Sequence, residues 1–218
     1  MRETPERAQH RIWSMVDATE ALDRLRTGNE RFASGRSKLD AMTSYHKRGA
    51  SVDGQQPFAV ILGCSDSRVP VEMVFDQDLG DLFVIRVAGN VVAPSQIGSV
   101  EFAAEQFGSN LVVVLGHTQC GAIQATVDEL RRPSADQSPN LKSIVDRIRP
   151  AIGPIVRDSP DESNEALVEK AVRANIGHSA EQLRHGSEII ERRIATSGLR
   201  VIGAEYSLET GYVDFFDV

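Results

Sequence analysis

Cysteine is scarce in this chain: Cys64 and Cys120 are the only two among 218 residues. Two thiols cannot build a disulfide framework, and in a reducing compartment they stay free, so their role has to come from reactivity, metal binding or packing. Long apolar runs are missing too. No stretch of about 18 apolar residues exists to span a bilayer, and the opening MRETPERAQHRIW lacks the apolar core of a signal peptide. The expectation is a soluble, cytoplasmic protein with no membrane partner. Clustered positive charge is also absent. Lys47 and Arg48 form only a short pair, and the net charge is −7. A chain of that sign repels a polyanion, which argues against a nucleic-acid partner. Internal repeats and low-complexity tracts are lacking as well. The length suffices for one sizeable core and does not require two, so residues 1–218 are read as a single domain.

Apolar periodicity supplies the map. Asp17 followed by Glu20 has the form of a capping box, and Ala18, Leu22, Leu25 and Phe32 recur at helical spacing, which predicts a helix ending near Gly35. Positions 36–56 are polar and punctuated by Gly49 and Gly54, so residues 1–56 read as an N-terminal helix and arm ahead of a core at 57–218. Three near-continuous apolar runs follow: FAVIL at 58–62, LFVIRV at 82–87 and NLVVVLG at 110–116. Such runs suit strands covered on both faces. Between the last two, Ile97, Val100, Ala104 and Phe107 mark a helix closed by Gly108, giving a strand–helix–strand unit and hence a parallel sheet. LRVIGAEY at 199–206 is a fourth strand, and YVDFF at 212–216 returns across SLETG as an antiparallel edge. Helical material fills 140–196, with breaks predicted at Pro150, Pro154, Gly177 and Gly186. The fold class is therefore α/β, a mainly parallel central sheet flanked by helices.

The chemistry-bearing residues stand at strand ends, where ligands of open parallel sheets bind. Cys64 follows one apolar run and His117 another. If residues 64–68 stay extended, Cys64, Asp66 and Arg68 project to one side, because side chains alternate with period two. HTQCGA at 117–122 leads into a helix carrying Ile123, Val127 and Leu130, which puts His117 and Cys120 about one turn apart. Cys120 at that helix N-terminus has its thiolate favoured by the dipole. Two thiolates and one imidazole suit Zn²⁺ and leave a fourth position open, a catalytic stoichiometry. Two other readings stay open on the residues alone. The cysteines can be small buried hydrophobes beside a hydrogen-bonded histidine, or Asp66 can close a structural zinc site. His10, His46, His178 and His185 receive no role, and Arg86 braces the site, supports an anion pocket or satisfies strand-end carbonyls.

CSDSR at 64–68 together with HTQCG at 117–121 resembles the paired C-x-D-x-R and H-x-x-C signature of β-class carbonic anhydrases. GNERF at 28–32, FVIRVAGN at 83–90, SVEFA at 99–103 and GAEYSLETGYV at 203–213 fall in the family's order. The resemblance implies one zinc ion per chain on Cys64, His117 and Cys120, and an Asp66–Arg68 dyad. It also implies an obligate homodimer, often assembled further, with the N-terminal arm laid over a neighbouring subunit. The implied reaction is reversible hydration of carbon dioxide to bicarbonate and a proton. Zinc in carbonic anhydrases lowers the pKa of a bound water to about 7, and Asp66, kept ionised by Arg68, orients the resulting nucleophile. Phe83, Ala88 and Gly121 match the substrate pocket, with Phe102 supplied by the partner subunit where the family often has tyrosine. Gln55 matches the bicarbonate-binding glutamine of the subgroup whose zinc site stays open, and Ile61 stands where closing members carry tryptophan. A carbonyl sulfide or carbon disulfide hydrolase, or a non-catalytic zinc-stabilised assembly protein, are the alternatives.

Overall fold

The computed structural model describes residues 16–39, 52, 54–134, 136 and 138–218. The apolar runs become strands β1 (Ala59–Gly63), β2 (Leu82–Arg86), β3 (Leu111–His117), β4 (Arg200–Tyr206) and β5 (Val213–Phe216). They form one sheet in the order β2-β1-β3-β4-β5. The first three junctions are parallel and β5 is antiparallel to β4, so the expected mainly parallel α/β class is the observed one. Every residue of β1 and β3 is buried, because helices cover both faces.

Alternation along the strands divides the core in two. Val60, Leu62, Val112 and Val114 point to the face covered by α3 (Pro94–Phe107), α4 (Gly121–Arg131), α5 (Pro139–Asp158), α6 (Asn164–His185) and α7 (Glu188–Ser197). Ala59, Ile61, Val113 and Leu115 point the other way, to α1 (Ala18–Ala33) and the short α2 (Val71–Val74). Each fully buried aliphatic side chain contributes about 1.5–3 kcal/mol over its exposed state. Helix α6 sits unusually close to the sheet. A Cβ on Gly116 or Gly203 would lie 2.5 or 2.9 Å from the Ile176 side chain, so glycine in β3 and β4 leaves the notch that seats this helix.

Asp17 caps α1 as predicted, accepting from the amides of Thr19 and Glu20, while the Glu20 carboxylate is engaged by Arg24. Asn29 in the GNERF stretch ties the helix down: its Nδ2 donates to the carbonyls of Val74 and Gly211, and its Oδ1 accepts from the Val213 amide.

Three of the predicted breaks do not occur. Pro150 and Pro154 lie inside α5 and Gly177 inside α6; the chain turns instead at 159–163, and the expected break at Gly186 is present. Proline removes an amide donor and crowds the carbonyl four residues earlier. Both prolines are exposed, which leaves the freed carbonyls on the side open to water, while Val145, Ile148 and Ile152 hold the opposite side of α5 in the interior. One glycine costs a long helix only about 1 kcal/mol, and the apolar side chains of α6 outweigh that. Much of the predicted arm, residues 40–51 and 53, lies outside the described residues.

Candidate metal centre

Strands β1 and β3 are parallel neighbours with Gly63 opposite Leu115, so the chain leaves β1 at Cys64 beside the end of β3 at His117. Thr118 and Gln119 then turn the chain, Gln119 adopting a φ of 56°, and Cys120 takes the N-cap position of α4. That connection is pinned to β4: the Thr118 amide donates to the Tyr206 carbonyl, and the Thr118 hydroxyl accepts from the Leu208 amide. The two sulfurs lie 4.0 Å apart. Cys64, His117 and Cys120 are all buried, and their ligand atoms lie within 4.8 Å of one another.

This arrangement fits a metal ion. His117 Nδ1 is 2.9 Å from the Thr118 carbonyl, which can only accept, so the proton sits on Nδ1 and Nε2 presents its lone pair. That Nε2 is buried and has no hydrogen-bond partner among the described residues. An unmet buried polar atom is costly unless something else satisfies it. A tetrahedral zinc with Zn–S bonds of about 2.3 Å needs sulfurs roughly 3.8 Å apart, close to the separation found. Electrostatics agree. The hydrogen bond from Cys120 lowers the Cys64 thiol to about 4 against its burial, with His117 and the Gly89 N–H adding to the effect. The same contact with Cys64, together with burial, pushes Cys120 up. Burial disfavours a charged His117, but the adjacent Cys64 thiolate and the Thr118 carbonyl outweigh this and raise its pKa. The pair thus favours negative charge on Cys64 while Cys120 keeps its proton, and a cation would favour the thiolate at both.

Asp66 and Arg68 do meet, though not by strand alternation. The chain folds into a turn after Asp66, with the Val69 amide donating to the Asp66 carbonyl and the Arg68 amide to Asp66 Oδ1. Arg68 then grips the carboxylate with two prongs, Nε to Oδ1 at 2.9 Å and Nη2 to Oδ2 at 2.8 Å. This contact holds the Asp66 carboxyl well below the usual carboxylate range. Asp66 Oδ2 is 3.9 Å from His117 Nε2, so the ionised acid borders the ligand cluster. The extended reading of 64–68 failed because an Asx-type turn satisfies backbone groups that no strand partner reaches there. Arg86 satisfies strand-end carbonyls and braces the loop in doing so: its guanidinium donates to the carbonyls of Cys64 and Asp66.

Other predicted residues spread outward. Gly121 opens α4 directly after Cys120 and is exposed, with open space where a Cβ would stand. Ala88 lies in the tight turn 88–90 that follows β2. The Phe83 ring stacks against Phe102 and Phe107 at 6.1 and 6.0 Å, and Phe102 is 52% exposed. Gln55 is exposed at the opposite end of β1 from Cys64, so the two are not brought together within one chain. His10 and His46 lie outside the described residues. His178 has a buried Nε2 without a partner among the described residues, and His185 pairs with Glu181 at 3.2 Å.

Sequence reasoning missed Gly89, whose amide donates to Cys64 Sγ at 3.3 Å, and Thr118. The AGN triplet was a visible turn signal for the former; nothing local marked the latter.

The carbonic anhydrase family profile matches residues 59–213. Carbonic anhydrase 2 of Mycobacterium tuberculosis is 35% identical over 187 residues, covering 86% of this chain and 87% of that protein. The solved β-carbonic anhydrase CcaA shares 27% identity with a TM-score of 0.67, covering 90% of this chain and 92% of that one. A chain from the crystal structures of two tetrameric β-carbonic anhydrases of Sordaria macrospora gives 20% identity and a TM-score of 0.72 over 88% of this chain and 94% of that one, a likeness of fold. A profile that spans the strands, both cysteines and the histidine, joined to a relative alike along nearly its whole length, places the chain in the β-class carbonic anhydrase family.

Proposed function

We propose that this chain catalyses zinc-dependent reversible hydration of carbon dioxide to bicarbonate and a proton. The observation that carries the reading is the buried Cys64, His117 and Cys120 cluster, its His117 Nε2 without a hydrogen-bond partner among the described residues, set beside an aspartate clamped by arginine. Cys64, His117 and Cys120 would hold the zinc, which supplies activation of a water molecule as nucleophile near neutral pH. Asp66 does the orienting. Ionised at working pH, it can only accept, so it takes a hydrogen bond from the nucleophilic water and fixes which lone pair faces the substrate carbon. Arg68 occupies both carboxylate oxygens from the side, which keeps Asp66 charged and opposes its rotation onto the metal. That supports a site whose fourth position stays open, the subgroup to which Gln55 and Ile61 also point.

Carbon dioxide offers little to hydrogen-bond, so apolar walls serve it best. Ala88 lies close to Cys64 through its neighbour Gly89, and Phe83 and Phe102 supply aromatic surface. Phe102 is half exposed within one chain and Gln55 stands at the far end of β1, which supports their acting on the site of a second copy. The assembly is then a homodimer at least, and the tetrameric Sordaria structures show that related folds assemble further.

Stopped-flow hydration assays run beside carbonyl sulfide and carbon disulfide turnover test the reading. Carbon dioxide hydration that vanishes on chelation and returns with zinc is expected. Turnover confined to the sulfur compounds would assign the same centre to the other substrate class, and no turnover of any would leave a zinc-stabilised assembly protein.

A further inference from the structure

Asn175 lies on α6, away from the ligand loops, and is 1% exposed. Its Nδ2 donates to the Gly89 carbonyl at 2.8 Å, and its Oδ1 has no hydrogen-bond partner among the described residues. A half-satisfied amide is an expensive thing to bury. Its neighbours along the buried face of α6 are Ala171, Val172 and Ile176, and an apolar residue there would avoid that cost. What the asparagine provides in return is one hydrogen bond to one carbonyl.

That carbonyl belongs to the turn at 88–90. Gly89 sits at φ 67° and ψ 20°, a left-handed conformation, and the Asn90 amide donates to the Val87 carbonyl at 3.0 Å. The 89–90 peptide is therefore held at both ends, its N–H by Val87 and its oxygen by Asn175. With that peptide fixed, the Gly89 N–H is aimed at Cys64 Sγ at 3.3 Å. An N–H donated to a thiolate tempers its electron donation and fixes its orientation. Partners of this kind around a metal ligand matter to affinity by about 10–100-fold.

We propose that Asn175 is a positioning residue of the metal centre: by gripping the Gly89 carbonyl from α6, it holds the Gly89 N–H on Cys64 Sγ. The inference rests on the zinc reading above. It is specific to this side chain, since Ile176, seated against Gly116 and Gly203, already docks the helix.

The test uses full-length protein and three substitutions. Asn175→Leu keeps the branched shape and loses the donor, Asn175→Ser withdraws the donor from reach, and Leu183→Ala is a destabilising control elsewhere on the buried face of α6. Zinc dissociation constants come from chelator competition, and the thiolate-to-metal charge-transfer band is recorded in cobalt-substituted protein. Both Asn175 variants should bind zinc about tenfold more weakly or worse and shift the band, whereas Leu183→Ala lowers the melting temperature and leaves both readouts at wild-type values. Should the leucine variant not fold, the serine variant is read alone. Wild-type affinity and band in the Asn175 variants, or equal changes in Leu183→Ala, would overturn the role of Asn175. Wild-type protein that binds no zinc would instead overturn the reading of the centre itself.

Discussion

Replacing Gly89 with alanine tests whether the turn beside the cysteines is as constrained as its geometry implies. At φ 67° an L-residue pays about 1–2 kcal/mol for the left-handed conformation. The new methyl would also lie 2.9 Å from Ile148 Cδ1 and 3.1 Å from Ala122 Cβ. Ile148 is fully buried and Ala122 Cβ is attached to the first turn of α4, so neither yields freely; overpacking of this kind adds about 1–3 kcal/mol. Together the two effects make about 2–5 kcal/mol, which for a chain of this size lowers the melting temperature by roughly 4–20 °C. Zinc affinity should fall with it, because relieving the strain moves the amide that meets Cys64 Sγ. Gly98→Ala is the matching control, a helical glycine with open space around its Cβ position, and it should melt slightly higher than wild type. Calorimetry and chelator competition decide the matter. A Gly89→Ala protein that melts within about 1 °C of wild type and keeps its zinc would refute the reasoning.

Asp66→Asn should keep its zinc yet lose activity by roughly 100-fold or more in stopped-flow assays, since the amide can no longer act as a purely accepting group toward the nucleophilic water. The depressed pKa of Asp66 also predicts the course of acid unfolding. A carboxylate lowered in the folded state contributes stability that is complete above its unfolded value of about 3.9 and is lost as pH falls below it. Urea midpoints should therefore drop below about pH 4, and Arg68→Ala should flatten that drop; an identical profile in the variant contradicts the pairing. Phe102→Asp, at a half-exposed aromatic, should weaken self-association in light scattering, and a fully active wild-type monomer would refute the shared pocket.

Burial patterns made most of this fold legible. The runs of β1 and β3 are apolar at every position because both sheet faces are covered, and Gly108 ends α3 in the left-handed conformation that its place in the sequence suggested. The cluster of Cys64, His117 and Cys120 was legible because both segments that carry it stand at the ends of apolar strands. Failures came where distant residues decide local structure. Pro150 and Pro154 look like helix ends until the buried side of α5 is seen to hold the segment helical. The Asp66–Arg68 contact was foreseen, yet its turn was not, because an Asp side chain competing for backbone amides leaves no periodic trace. Asn175 lies 111 residues beyond Cys64 in an ordinary helical stretch, and only the folded chain brings its amide to Gly89.

The central claim is that one zinc ion on Cys64, His117 and Cys120 makes this chain a carbon dioxide hydratase. Metal-free protein titrated with zinc while the hydration rate is recorded tests it most directly. The rate should climb linearly and break at one zinc per chain, and a Cys120→Ser variant should show neither the climb nor the break. Full hydration activity before any zinc is added would contradict the account.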